Sequence, residues 1–323
     1  MDILFVIDRL ELKYFEFNNL VTNFWIIREM IREGKSVWIT TIDNLSLKSG
    51  IACARCFEVF EKYDNIFYDK KSKVCEINDF SLCMFRPDPP VDLDYINATY
   101  VFDFVDREKT IILNDPKSIR DFNEKLHTVK FLDLMPENIV TSSRSDILDF
   151  LNEHEEIVLK PLNGCFGSGV MTLRKGDKNT SVIINMMTKN QTQLIMVQKY
   201  ISKARFGDKR VMFLGDEVLD VCIQKLPSNN DFKFNEHCDS NIVKAELSES
   251  EKEKFTPVAK ELNKLGLPLV GIDVIDEKII EINVTSPCYF IKETNFHHNI
   301  ELEKKITSFI LSKMPVKQKC GTI

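Results

Sequence analysis

The sequence predicts an α/β protein in two parts: an N-terminal domain around a parallel sheet, then a longer region dominated by strand pairs. Three observations carry this expectation. The first third alternates short apolar runs with helix-spaced segments, the order of a parallel sheet with helices on its faces. After about residue 122 the apolar strand runs come in succession, and Gly215-Asp216 between two of them is a hairpin signal. At 323 residues the chain is too long for one simple core and fits two or three packed subdomains.

Ile3 to Ile7 reads as the first strand, and Leu20 to Glu33 as a helix that ends at Gly34. Ser36 to Thr40 and Leu82 to Phe85 are further strands; the run Arg86-Pro87-Asp88-Pro89-Pro90 stops the latter, because proline continues neither strand nor helix. Leu93 to Val105 reads as a helix, Ile111 to Leu113 as a strand, and Pro116-Lys117-Ser118 as the start of another helix with proline in its first turn. Beyond residue 122, Ser143 to Asn152 is a helix capped by Ser142 or Ser143. Ile157 to Leu162, Gly169 to Lys175, Leu194 to Tyr200, Lys209 to Leu214 and Glu217 to Leu226 read as strands. Pro227 to Ser240 is polar and aperiodic, a long loop. Ser248, with Glu251 three residues on, caps a helix to Leu265, and Glu301 to Met314 forms the last helix.

Composition excludes several classes. A net charge of −6 gives nucleic acid no electrostatic support, and no apolar stretch is long enough to span a bilayer. The N-terminus meets Asp8, Arg9 and Glu11 at once and lacks a basic leader, so it is expected to be a strand rather than a signal peptide. Nine irregularly spaced cysteines, with no export signal, imply reduced thiols in a cytoplasm. Cys53-Ala54-Arg55-Cys56 has no second pair at zinc spacing and reads as incidental thiols in a strand. Lys70-Lys71-Ser72-Lys73 is too short for a nucleic-acid footprint, and His297-His298 reads as a solvated pair.

Two segments carry chemistry. In Asp273 to Pro287 an otherwise apolar hairpin holds Asp273, Glu281 and Asn283. Glu281 and Asn283 are two apart in a strand and face the same way. A three-residue loop, Asp276-Glu277-Lys278, would pair Asp273 with Glu281; a two-residue loop would put Asp273 on the other face. Two carboxylates and an amide on one face suit Mg²⁺, while an amphipathic strand with its polar side in water would show the same alternation. In Ile157 to Gly169, Lys160 sits within an apolar strand, and Gly164, Gly167 and Gly169 would let backbone N–H groups approach an anion. The loop is neither a Walker A motif nor a dinucleotide fingerprint. A lysine in an apolar strand needs a partner, which weighs against a plain glycine turn.

Taken in order, Asp121-Phe122-Asn123-Glu124-Lys125, Leu159-Lys160-Pro161-Leu162-Asn163-Gly164, Gly207-Asp208-Lys209-Arg210-Val211, Gly271-Ile272-Asp273 and Glu281-Ile282-Asn283-Val284-Thr285-Ser286-Pro287 resemble the ATP-grasp ligases, and among them the prokaryotic glutathione synthetase family. The resemblance runs from about Met84 to the final helix. It implies an ATP-grasp fold after an N-terminal parallel α/β domain. The boundaries it suggests are 1–121, then 122–315 divided into a nucleotide lid at 122–200 and a metal-binding subdomain at 201–315, with a tail at 316–323. It implies a ligase that joins γ-glutamylcysteine and glycine through an acyl phosphate, with ATP and Mg²⁺, or Mn²⁺ in its place.

The same resemblance implies residue roles. Lys125 and Lys160 would contact the nucleotide phosphates, beside Gly164, Gly167 and Gly169. Gln198, Lys199, Tyr200 and Ile201 would form the adenine hinge, and Asp208 would hold the ribose. Asp273, Glu281 and Asn283 would hold two metal ions. Arg210 would stabilise charge on the transferring phosphoryl group or acyl intermediate, and Lys225 stands where the family prefers arginine. Arg86 and the turn from Asn283 through Thr285 and Ser286 to Pro287 would contact substrate. Members are often homo-oligomeric, and the resemblance carries that over. The family's lid corresponds to 226–242, which here has no glycine and no arginine. Lysine cannot make arginine's bidentate fork, so weakened acceptor binding is expected. A different amine acceptor, or a non-catalytic ATP-binding descendant, are the alternatives this departure leaves open.

Overall fold

A computed structural model describes residues 2–8, 19–165, 167–227, 242–286 and 290–314. The chain divides into two compact units, one of residues 1–88, 94–117 and 288–323, the other of residues 89–93 and 118–287.

In the first unit β1 (Asp2–Ile7) carries an unbroken apolar run, Ile3 to Ile7, buried throughout. Such a run suits a central strand covered on both faces. β1 pairs in parallel with β2 (Ser36–Thr41), and the intervening helix α1 (Thr22–Arg32) buries Phe24, Ile26, Ile27 and Met30. α1 ends before Gly34, whose φ of 72° is the left-handed conformation that closes a helix at little steric cost. β3 (Leu45–Lys48), β4 (Ile51–Lys62), β5 (Asn65–Tyr68) and β6 (Lys73–Glu76) follow, and all three short strands pair antiparallel with β4. β7 (Leu82–Phe85), helix α2 (Leu93–Val101) and β8 (Ile111–Leu113) complete the sheet, in the order β3-β4-β2-β1-β7-β8. Its core is parallel, as expected. Around β4 the sheet becomes antiparallel, because β2 turns over into β4 in antiparallel register. Cys53 and Cys56 lie in β4 as buried free thiols.

In the second unit α3 (Pro116–Asp121) leads to β9 (Asn138–Thr141), α4 (Arg144–His154), β10 (Glu156–Pro161), β11 (Met171–Arg174), α5 (Thr180–Met187) and β12 (Ile195–Lys199). The four strands form an antiparallel sheet, β11-β10-β12-β9. Ile157, Leu159, Ile195 and Val197 pack on Ile147, Phe150 and Leu151 of α4 and Ile184 and Met187 of α5. Ser143 caps α4, its Oγ accepting from the Asp146 N–H at 3.3 Å.

The second sheet of this unit contains β13 (Asp208–Leu214), β14 (Glu217–Val218), β15 (Val221–Lys225), β16 (Ile242–Glu246), β17 (Leu269–Ile275) and β18 (Lys278–Asn283), in the order β16-β15-β13-β17-β18. The expected long strand from Glu217 is broken: Leu219 and Asp220 leave the ladder between β14 and β15. Helix α6 (Glu249–Lys264) starts in a capping box between Ser248 and Glu251.

Helices α7 (Ile291–His298) and α8 (Leu302–Ser312) close the described chain. They fall in the first unit, where α8 packs on α1, whereas the sequence reading ran the second domain to residue 315. The reason is the apolar face of α8, Leu302, Ile306 and Ile310, all buried. The expected lid falls largely on 228–241, and the expected tail is 316–323; both of these stretches lie outside the described residues, as does Pro287.

Candidate active site

Strand register decides which side chains meet. Arg210 pairs with Asp273, Asp273 with Glu281, Gly271 with Asn283, and Asp208 with Lys225. Opposed residues, and residues two apart on a strand, share a face. Asp208, Arg210, Lys225, Asp273, Glu281 and Asn283 therefore stand on one face of the sheet. Lys209, between two of them, points to the other and donates to both carboxylate oxygens of Glu251 at 2.9 Å.

The pairing of Asp273 with Glu281 is as expected, but the loop that produces it is not. Ile275 pairs with Lys278, so the tip is a two-residue turn, Asp276-Glu277, with both φ values positive (52° and 60°). That turn alone would put Asp273 opposite Ile280. A β-bulge between Asp273 and Val274 in the register takes up Ile280 as an extra residue and restores Glu281 to its place. The bulge has a second effect: Lys160 Nζ donates to the Ile280 carbonyl at 3.3 Å. The tip residues here are Asp and Glu in left-handed conformation, which lack the usual asparagine–glycine signature.

Asp273 is the hub of the face. Arg210 donates to it from Nε at 2.5 Å and Nη2 at 2.9 Å, and Lys225 Nζ donates at 3.2 Å. Asn283 Nδ2 lies 3.4 Å from Asp273 Oδ2. Burial alone would raise the Asp273 carboxyl, but Arg210 and Lys225 outweigh it and hold the group well below the usual carboxylate range. Lys225 also pairs with Asp208, Nζ to Oδ2 at 2.6 Å; burial raises the Asp208 carboxyl against this attraction.

Lys125 reaches the same face from the segment before β9. Its Nζ donates to Glu281 Oε1 at 2.5 Å and to the Gly164 carbonyl at 2.6 Å, so one ammonium joins the glycine loop to the acidic strand. Burial would lower this lysine, yet the Glu281 carboxylate raises it. Lys160 is different. Burial pushes it down to about 8, only partly offset by Glu281. Lys160 and Gln198 share the face of their sheet opposite its apolar core, because Val158 pairs with Gln198 and Lys160 with Met196. Lys199 is exposed and donates to Glu137 at 2.7 Å; Tyr200 and Ile201 continue beyond β12. Gly164 and Gly169 hug the Pro161 ring: a Cβ on Gly164 would lie 3.0 Å from the Ser168 carbonyl, and one on Gly169 3.0 Å from Pro161 Cγ. Gly167 and Gly169 have φ of 66° and 71°.

The second unit thus gathers Lys125, Lys160, the glycine loop, Asp208, Arg210, Lys225, Asp273, Glu281 and Asn283 around two facing sheets. Thr285 and Ser286 are buried in the turn that follows β18. Arg86 belongs to the first unit, at the end of β7, where its Nε donates to Asn23 at 2.8 Å. Sequence reading assigned no role to Asn123 or Glu124. Asn123 Nδ2 donates to the Leu162 carbonyl at 3.1 Å and its Oδ1 accepts from the N–H groups of Lys125 and Leu126. Glu124 is buried, accepts from Val284 and Thr285, and is pushed up to about 7 by burial and by the nearby Glu281 carboxylate. Their only signal was the Asn-Glu-Lys run itself.

Comparison with known proteins places the arrangement. Residues 1–120 match the N-terminal domain of prokaryotic glutathione synthetase, and residues 124–297 match its ATP-grasp domain. The chain belongs to the prokaryotic glutathione synthetase family. It is 34% identical over 268 residues to the glutathione synthetase of Salmonella typhi, covering 82% of this chain and 85% of that one. It is 34% identical over 291 residues to that of Vibrio vulnificus strain YJ016, covering 90% and 91%. In architecture it resembles the D-cycloserine synthetase DcsG (TM-score 0.66, 12% identity, 98% of this chain and 100% of that one). It likewise resembles the D-alanyl-alanine synthetase A of Vibrio cholerae (TM-score 0.62, 11% identity, 97% and 98%). The family therefore has an ATP-grasp fold behind its N-terminal domain, as the sequence predicted. Among the described residues no helix is long and apolar enough to cross a membrane.

Proposed function

We propose that the chain is an ATP-dependent ligase that joins γ-glutamylcysteine to glycine through an acyl phosphate and releases ADP and phosphate. The observation that carries this reading is the single polar face on which Arg210, Lys225, Asp273, Glu281 and Asn283 meet Lys125 and Lys160. A carboxylate is a poor electrophile. Phosphorylation by ATP makes it an acyl phosphate, and the glycine amine then displaces phosphate. The protein's share is positioning and charge stabilisation, which calls for cations in a buried cleft rather than a nucleophilic side chain.

In this reading Lys125 and Lys160 grip the triphosphate with the glycine loop at 164–169. Gln198 to Ile201 hold the adenine, Asp208 meets the ribose, and Arg210 with Lys225 stabilises charge at the reacting carboxylate. Two carboxylates and an amide oxygen on one face form a hard donor set that fits a divalent cation, with Mg²⁺ proposed and Mn²⁺ as its substitute. Asp273, Glu281 and Asn283 would hold it. Such an ion neutralises phosphate charge and orients the transferred group. Lys125 and Arg210, which pair with Glu281 and Asp273, are placed to turn toward the nucleotide when a cation takes those carboxylates.

Coupled ADP release with γ-glutamylcysteine, glycine and Mg²⁺, with mass detection of glutathione, tests the proposal. Turnover dependent on all three is expected, lost in excess chelator and restored by Mg²⁺. ADP release with another amine but not with glycine would move the acceptor, an outcome that the glycine-free and arginine-free lid sequence keeps in view. Nucleotide binding without ligation of any amine would end the enzyme reading.

A pH dependence follows from Lys160. Its ammonium is lost from the free protein above about pH 8, whereas triphosphate would favour the charged form. ATP binding is therefore expected to weaken as pH rises through about 8 and to take up a proton above that pH. Calorimetry in two buffers of different ionisation enthalpy reads the uptake, and none at pH 9 would remove Lys160 from the phosphates.

A further inference from the structure

We infer that Glu124 is a positioning residue whose buried carboxyl fixes the turn at 284–286 for the carboxylate substrate. The inference rests on the ligase reading above. Glu124 occupies the position before Lys125 and is 7% exposed. One of its oxygens, Oε1, accepts three hydrogen bonds: from the Val284 N–H at 2.9 Å, the Thr285 N–H at 3.2 Å and the Thr285 hydroxyl at 2.9 Å. Its own carbonyl accepts from the Ile282 N–H at 3.0 Å. One residue thus satisfies the last turn of strand and the first two amides beyond it.

Those amides need this partner. β18 ends at Asn283, so Val284 and Thr285 leave the sheet ladder while still 0% and 1% exposed. A buried N–H without an acceptor is strongly disfavoured, and Glu124 supplies the acceptor in place of a strand. Thr285 gives its hydroxyl proton inward, so its side chain also supports the turn. The arrangement also couples two halves of the site: the residue that holds the turn is bonded in sequence to the lysine that pairs with Glu281. The side chain of Glu124 faces the turn, not the glycine loop, so its influence falls on the substrate side.

Three full-length variants test this, Glu124→Ala, Glu124→Gln and Thr285→Val, each checked for native circular dichroism. Glu124→Ala is expected to raise KM for γ-glutamylcysteine at least tenfold while KM for ATP moves less than threefold. Glu124→Gln keeps an accepting oxygen and is expected to return KM to within threefold of the parent. Thr285→Val removes one bond of three and should fall between. Amide exchange at Val284 and Thr285 is expected to accelerate at least tenfold in Glu124→Ala and not in Glu124→Gln. Equal rises in both KM values, a Gln variant no better than Ala, or unchanged exchange would each overturn the assignment. If the Ala variant does not fold, an unchanged KM in Thr285→Val overturns it. If the parent protein does not ligate this pair, the ligase reading falls, and exchange alone decides whether Glu124 holds the turn.

Discussion

Replacing Asp273 with asparagine is expected to lower ligase turnover about 10³-fold, equivalent to about 4 kcal/mol of transition-state stabilisation. It is also expected to destabilise the fold by about 3–5 kcal/mol. Both effects come from one geometry. Asp273 is 5% exposed and carries the counter-charge for Arg210 at 2.5 Å and Lys225 at 3.2 Å. Asparagine keeps the shape but leaves two half-buried cations together without their shared partner, Lys225 keeping Asp208, and removing one member of such a cluster is costly. It also removes a hard anionic donor from the face that would hold the cation. Urea unfolding reads the first effect and coupled ADP release the second. The double variant Asp273→Asn with Arg210→Met should regain part of the stability and none of the activity. A single variant with turnover within tenfold of the parent would remove Asp273 from the chemistry.

Gly207→Ala is expected to be the most damaging change of one methyl group. Gly207 has φ of 90°, and a Cβ there would lie 2.0 Å from the Lys225 carbonyl oxygen and 2.9 Å from its carbon. Neither atom is the end of a flexible side chain, so the backbone at Lys225 must move. That residue carries the ammonium between Asp208 and Asp273. With ψ at −177° the backbone lies in a region essentially open only to glycine, which costs alanine about 1–3 kcal/mol by itself, and the clash adds to it. The total expected is about 3 kcal/mol or more, with a loss of turnover of about 10²-fold. Gly34→Ala is the control: φ is 72° but nothing lies within 4 Å of the added Cβ, so only the conformational cost of about 1 kcal/mol applies. Equal destabilisation by the two substitutions in urea would show that Lys225 yields freely.

Much of this site was legible because the polar residues interrupt apolar strands. Alternation alone put Glu281 and Asn283 on one face, and Lys160 stood out as a charge within a buried run. The pairing of Asp273 with Glu281 was one of two registers that the sequence allowed. The bulge that decides it was invisible: Lys278-Ile279-Ile280 is an ordinary strand run, and Asp276-Glu277 lacks the residues that usually mark such a turn. Glu124 was hidden for another reason. Its burial depends on Val284 and Thr285, 160 and 161 positions away, and a Glu-Lys dipeptide in isolation reads as solvated surface. Of β4 only residues 53–56 were read as strand, because Ala52, Cys53 and Ala54, buried in succession, show neither alternation nor branched apolar character and hide the strand's length and pairing. The last helix was found and the one before it, Ile291–His298, was not; an apolar stripe also does not say which partner it will cover.

The bulge at Ile280 places the β17–β18 hairpin under an even–odd rule. Inserting one residue at the tip while deleting Ile280 would leave Glu281 and Asn283 where they are. Either change alone leaves an even number of residues between Asp273 and Glu281, which a two-residue turn closes with the same pairing and without a bulge. The same arithmetic holds between β14 and β15, where two residues, Leu219 and Asp220, step out together and Lys225 keeps its side. Length changes at the β17–β18 tip are therefore quantised: an odd number of residues between Asp273 and Glu281 calls for a bulge or a three-residue turn, and an even number for neither.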